Sequence, residues 1–279
     1  PFFQTWDLAG KFPEILNDPI VGESAQKVFA DGKKMLERLI QGRWLQAHAV
    51  VGIYPANSHG DDIELYADES RKKHLLVWNN LRQQSDRPVV DGIKRPNRCL
   101  SDYVAPKVSG IQDYVGMFAV TAGLGVEKKV AEFQKQHDDY SAILLKALAD
   151  RLAEAFAECM HHRVRTDLWG YATGETLSNE ELIAEKYQGI RPAPGYPACP
   201  EHAVKSAMFE VLQADEIEMS LTESLAMSPA SSVSGFYLAN PNARYFNVGP
   251  IGKDQVSDLA SRSSRDESLV ARGLTNLLD

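Results

Sequence analysis

A chain of 279 residues with 44% hydrophobic and 24% charged side chains is composed like a globular protein, with room for one large core or two small ones. Thirty Lys and Arg against 38 Asp and Glu leave a net charge of −8, and no basic stripe interrupts it, which speaks against a nucleic-acid-binding face. No apolar run is long enough to span a membrane, PFFQTWDLAG lacks the features of a signal peptide, and Cys99, Cys159 and Cys199 are too widely spaced for a disulfide framework. A cytoplasmic location is therefore expected.

The chain opens on Pro1 without an initiator Met, in the middle of a pattern, so it is expected to be part of something longer or trimmed. A helix is expected from Ala25 to Ile40, with Ser24 as its N-cap and Val28, Met35, Leu36, Leu39 and Ile40 as its apolar face. Ala49 to Tyr54 reads as a buried strand stopped by Pro55, and the stretch from Asn57 to Asp62 as a turn. Ile63 to Tyr66 and His74 to Trp78 add two strands joined too tightly for crossover helices, hence an antiparallel meander. An irregular segment, Arg82 to Ser109, precedes another buried strand at Tyr114 to Thr121.

Val126 to Arg165 is patterned as one short helix and one long one, with Leu144, Leu148, Leu152, Phe156 and Met160 recurring along the latter. Ser178-Asn179-Glu180-Glu181 is a capping box that predicts a helix to about Tyr187, and Gly189 stops it. Glu201 to Ala214 is helical in pattern. Val233 to Leu238 and Arg244 to Val248 read as a hairpin, and two polar amphipathic helices follow from Lys253 to Leu278. Without a repeat or a linker, residues 1–279 are expected to form a single α+β domain.

The motif that draws chemistry is RPAPGYPACPEH, Arg191 to His202. Pro192, Pro194, Pro197 and Pro200 fix φ and remove donors, so the segment is a rigid loop rather than a helix or a central strand. It could be no more than a crossover. Yet it holds a guanidinium fork suited to a carboxylate (Arg191), a glycine that admits close approach (Gly195) and an aromatic face (Tyr196). That set suits an amino-acid-bearing nucleotide. On the long helix, Lys146, Asp150, Glu154, Glu158 and His162 fall at i, i+4 steps, either as a solvated stripe or with one carboxylate facing a cleft. Periodicity leaves both open.

Cys199-x-x-His202, with Cys159 and His161-His162, could suggest a metal site, but one C-x-x-H pair stands alone where zinc wants four converging ligands at tight spacing, so no metal is expected. The chain has no G-x-S-x-G elbow and no G-x-G-x-x-G after a strand, which argues against a hydrolase triad and a Rossmann site.

Longer strings carry a resemblance along essentially the whole chain. PFFQTWDLAGKFP, VVGIYPAN, GDDIELY, YVAPKVSG, QHDDY, KALADRLAEAFAE, LWGYA, LSNEELI, RPAPGYPACPEH and LTESLAM occur in that order. In these the chain resembles the C-terminal reactivation domain of cobalamin-dependent methionine synthase. The resemblance implies a C-shaped α+β domain with a twisted antiparallel sheet flanked by helices. It implies binding of S-adenosylmethionine and reductive methylation of cob(II)alamin, which restores methylcobalamin for homocysteine-to-methionine methyl transfer. The implied partners are the cobalamin-binding domain of the same enzyme and a flavodoxin or diflavin reductase as electron donor.

The family's R-x-x-x-G-Y motif falls on Arg191, Gly195 and Tyr196, its helix carboxylate on Glu154, and its late aromatic pair on Tyr245 and Phe246. These are expected to bind ligand, with no catalytic acid or base among them. A further family Asp lies in a stretch upstream of Pro1, and Asp7 and Asp18 do not replace it. From about Ser261 the resemblance carries nothing. The reading from another class is an interaction module that docks a cobalamin domain and a flavoprotein without binding ligand. Under the leading reading, Arg191→Ala should weaken ligand binding while leaving the thermal midpoint nearly unchanged.

Overall fold

The computed structural model describes residues 2–85 and 89–278. Its centre is a five-stranded antiparallel sheet in the order β3-β2-β1-β6-β9. The strands are β1 (Gln46–His59), β2 (Asp62–Tyr66), β3 (His74–Asn79), β6 (Asp113–Leu124) and β9 (Ser232–Tyr237). Two small ribbons stand apart, β4 (Val89–Val90) with β5 (Ile93–Lys94) and β7 (Ser220–Leu221) with β8 (Met227–Ser228). The helices are α1 (Gly22–Gly42), α2 (Val126–Lys135), α3 (Asp139–Arg163), α4 (Asn179–Ile183), α5 (Val204–Leu212), α6 (Lys253–Ser263) and α7 (Glu267–Gly273). The α+β class and the meander are as the pattern predicts. No described helix is long and apolar enough to cross a membrane.

Strand β6 explains its own apolar sequence. Val115, Met117 and Ala119 face one core with Met208, Phe209 and Leu212 of α5, whereas Phe118 and Val120 face Ala157 and Met160 of α3. Side chains alternate across a strand, so a strand covered on both faces must be apolar at every position. On β9 the same alternation sends Phe236 against Trp78, with ring centroids 3.7 Å apart, and Tyr237 against Phe118 at 4.6 Å. Helix α3 is thereby held against the central strands.

Several boundaries differ from the pattern, each for a local reason. Helix α1 starts at Gly22, ahead of Ser24. The Asp18 carboxylate accepts the Ile20 and Val21 N–H groups and its carbonyl accepts that of Gly22, so the chain is already turned. Strand β1 runs through Pro55 to His59, because the ladder to β2 begins only at Ala56 and the proline interrupts no pairing on that side. Helix α4 has its capping box but ends at Ile183, where Glu185 turns left-handed and Lys186 donates back to the Glu181 carbonyl.

The expected hairpin of Val233 to Leu238 with Arg244 to Val248 does not form. The proline-rich loop takes the edge instead: Ile190 and Leu238 exchange backbone hydrogen bonds of 3.0 Å, and Phe236 donates to the Pro192 carbonyl at 2.9 Å. Gly235 makes this possible, since a Cβ there would lie 2.6 Å from the Pro192 oxygen. Arg244 to Val248 forms no strand and is pinned where Val248 donates to the Pro197 carbonyl.

Candidate functional site

A cleft of about 720 Å³ opens between α3, the proline-rich loop, the Ala230–Val233 segment and the Tyr245–Phe246 segment. It lies within the roughly 300–1,000 Å³ range of small-molecule sites. Glu154, Arg191, Tyr196, Tyr245 and Phe246 all line it. Gly195 does not. Its φ is +93°, and a Cβ there would meet the His202 ring at 2.1 Å, so its glycine character lets the loop fold over His202 rather than exposing backbone to the cleft. The Gly195 N–H donates to the Cys199 carbonyl at 2.8 Å, which closes the turn.

The two ends of the cleft are built differently. At the inner end, the Arg191 N–H donates to the Tyr245 hydroxyl at 2.9 Å. Arg191 Nη1 reaches Glu158 Oε2 at 2.7 Å, the Tyr187 hydroxyl at 3.1 Å and His161 Nδ1 at 3.2 Å. Behind it lies Arg165, whose side chain is fully buried and grips both oxygens of Glu175 at 2.7 Å. Arg165 also stands 3.6 Å from Glu158 and stacks over the Tyr187 ring, 4.4 Å from its centroid. A π-helical turn, Val164–Leu168, continues α3 and carries Arg165 into this position.

The electrostatics at this end follow from burial. His161 is fully buried, and desolvation, reinforced by the Arg165 and Arg191 cations, holds its pKa well below the ordinary histidine value. It is neutral at physiological pH. Burial likewise raises the hydroxyl pKa of Tyr187 and of Tyr237 far above that of a free phenol.

The outer end is open. Glu154 is 57% exposed and paired with Arg151 one turn before it. Tyr196 is 64% exposed. Asp150 accepts a 2.6 Å hydrogen bond from Ser231, which ties α3 to the start of β9. The i, i+4 stripe is thus split by its surroundings: Asp150 and Glu154 line the cleft, and Glu158 sits within the arginine network. Arg165, Tyr187 and Glu175 were not singled out as site residues in the sequence, and His161 entered only the discounted metal reading. For His161 there is a signal, since it stands one turn beyond Glu158 on its face of α3, and Arg165 follows on the π-helical turn that continues the helix. Tyr187 and Glu175 reach the network through loop geometry and carry none.

The arrangement offers a fixed cation at one end, carboxylates at the other and aromatic rings between. Among the described residues, Nε and Nη2 of Arg191 donate no hydrogen bond, so that edge of the guanidinium keeps its donors for a bidentate anion.

The family model described as "Vitamin B12 dependent methionine synthase, activation domain" matches residues 1–264. Its end lies close to Ser261, beyond which the resemblance carried nothing. Among solved structures, the chain is similar to the MetH reactivation domain bound to AdoHcy. The two share 52% identity and a TM-score of 0.92, over 100% of this chain and 84% of that one.

Proposed function

Because the chain belongs to the activation-domain family of vitamin B12-dependent methionine synthases, we propose that its cleft binds S-adenosylmethionine and presents the sulfonium methyl for reductive methylation of oxidised cobalamin. The observation that carries the reading is the open Nε–Nη2 edge of a half-buried Arg191 at the closed end of a cleft of ligand size. The similar solved domain holds AdoHcy, which has the same carboxylate, adenine and ribose as S-adenosylmethionine.

In this reading Arg191 holds the carboxylate through two charge-assisted hydrogen bonds. Tyr245, Phe246 and Tyr196 supply aromatic faces for the purine and the sulfonium. Glu154 and Asp150 face the cationic, hydroxyl-rich middle of the ligand. The chain contributes positioning rather than proton transfer. Cobalamin, bound by another part of the enzyme, supplies the methyl acceptor, and a flavodoxin or diflavin reductase supplies the electron.

Calorimetry with S-adenosylmethionine tests this directly. The wild-type chain should bind, and Arg191→Ala should weaken binding by about a hundredfold. The sequence alone predicts an unchanged thermal midpoint for that variant. The Glu158 contact revises this to a loss of about 1 kcal/mol, since Glu158 would keep only Arg165. No binding at millimolar ligand would favour the module that docks a cobalamin domain and a flavoprotein without taking ligand.

A further inference from the structure

His161 touches no surface, yet its ring lies directly against the Nη1 end of Arg191. Its ring is held on every side. It stacks on Tyr237 with centroids 4.9 Å apart and planes 17° from parallel, and meets Tyr187 edge-on at 5.0 Å. Its Nε2 lies 3.3 Å from the Tyr171 hydroxyl and its Nδ1 lies 3.2 Å from Arg191 Nη1.

These contacts fix the tautomer. A guanidinium can only donate, so Nδ1 must accept and the ring proton must sit on Nε2, where it donates to the Tyr171 oxygen. A protonated ring would have no acceptor to offer Arg191, and burial beside two arginines disfavours that form.

We infer that His161 is a positioning residue for ligand recognition: through Nδ1 it anchors Nη1 of Arg191 and keeps the Nε–Nη2 edge free for the carboxylate of S-adenosylmethionine. The inference deepens the proposed ligand site and rests on it. Glu158 and the Tyr187 hydroxyl share the task of holding Nη1, but Glu158 does so at a cost. It places a second negative charge on the guanidinium that must receive the ligand carboxylate, and two like charges a few ångströms apart repel strongly where water is scarce. A neutral imidazole anchors the same nitrogen without that repulsion. Its fixed ring also prevents Arg191 from turning its whole fork onto Glu158.

The test separates the carboxylate from the rest of the ligand. S-adenosylmethionine and its decarboxylated analogue are titrated into the full chain and into variants of it. His161→Phe keeps the ring stacking and removes the acceptor. It should bind S-adenosylmethionine about tenfold more weakly and the decarboxylated analogue within about twofold of wild type. His161→Asn places an oxygen near the position of Nδ1, whereas His161→Gln reaches toward that of Nε2. The Asn variant should recover most of the affinity for S-adenosylmethionine and the Gln variant should not, a contrast that decides the matter even where His161→Phe does not fold.

Equal losses for both ligands, or wild-type affinity in His161→Phe, would overturn the positioning role. The parent reading fails differently. There, Arg191→Ala itself would show no selective loss for the ligand that has a carboxylate.

Discussion

The two ends of the cleft use the same residue types to opposite effect. At the inner end, Arg191, Glu158, Arg165 and Glu175 form a chain of alternating charge, walled by Tyr187, Tyr237 and His161 and largely shut from water. At the outer end, Arg151 and Glu154 make one exposed pair, three residues apart on the same helix. Burial decides what each pair can do. An exposed pair contributes little because water already solvates both charges. In the buried chain each charge depends on its neighbours, since removing one strands another in a medium of low dielectric. The inner end is therefore a fixed fixture and the outer end an adaptable one. A ligand that is anchored at one end and reactive at the other needs that division.

The sharpest way to break the comparison is Arg165→Leu. The substitution leaves Glu175, whose side chain is 6% exposed, without its bidentate partner, and Glu158 with Arg191 alone. Stability should fall by about 3–5 kcal/mol, read from the urea midpoint. Arg165→Leu combined with Glu175→Gln should cost less than the sum of the two single changes, because both remove the same pair. A loss no larger than that of a surface variant would show that the inner end is not an ionic core, and the contrast would collapse.

The difference between the ends also marks what the sequence could disclose. The loop was legible because four prolines with a glycine restrict the backbone whatever surrounds them. Strand β6 was legible because burial on both faces demands an unbroken apolar run. The stripe on α3 showed the spacing of Asp150, Glu154 and Glu158 but not what each would face, since that depends on where the loop and Arg165 arrive from elsewhere in the chain. The pairing of Arg244 to Val248 with β9 went wrong for the same reason. A sheet edge is a tertiary contest, and Ile190 to Pro192 won it because Gly235 lets their backbone come close. His161 looked like one of two adjacent histidines near a helix end. Only the fold shows that it is buried and its neighbour His162 is not.

Between the two ends runs the loop itself, and Gly195→Ala measures how rigid it is. The residue must keep φ near +93°, and its new methyl group must displace the His202 ring. A loss of about 1–3 kcal/mol is expected on thermal or urea unfolding. Ligand affinity should change far less than in Arg191→Ala, because Gly195 does not line the cleft. If the variant were as stable as wild type, the loop would be yielding rather than taut. The fixture at the inner end would then have to rest on Glu158, His161 and Tyr187 alone.

The smallest effect on folding belongs to Glu154→Gln. The side chain is more than half exposed, and its partner Arg151 lies on the same helix, so stability should stay within about 0.5 kcal/mol of wild type. Affinity for S-adenosylmethionine should nonetheless drop by roughly three- to tenfold if, as proposed, Glu154 faces the ligand's sulfonium. Binding would thus fall with almost no cost in stability, the reverse of Arg165→Leu. Calorimetry and a urea titration on the same preparation decide it. If Glu154→Gln lowered stability and affinity in step, Glu154 would be a structural charge like Glu158, and the cleft would have two fixed ends instead of one.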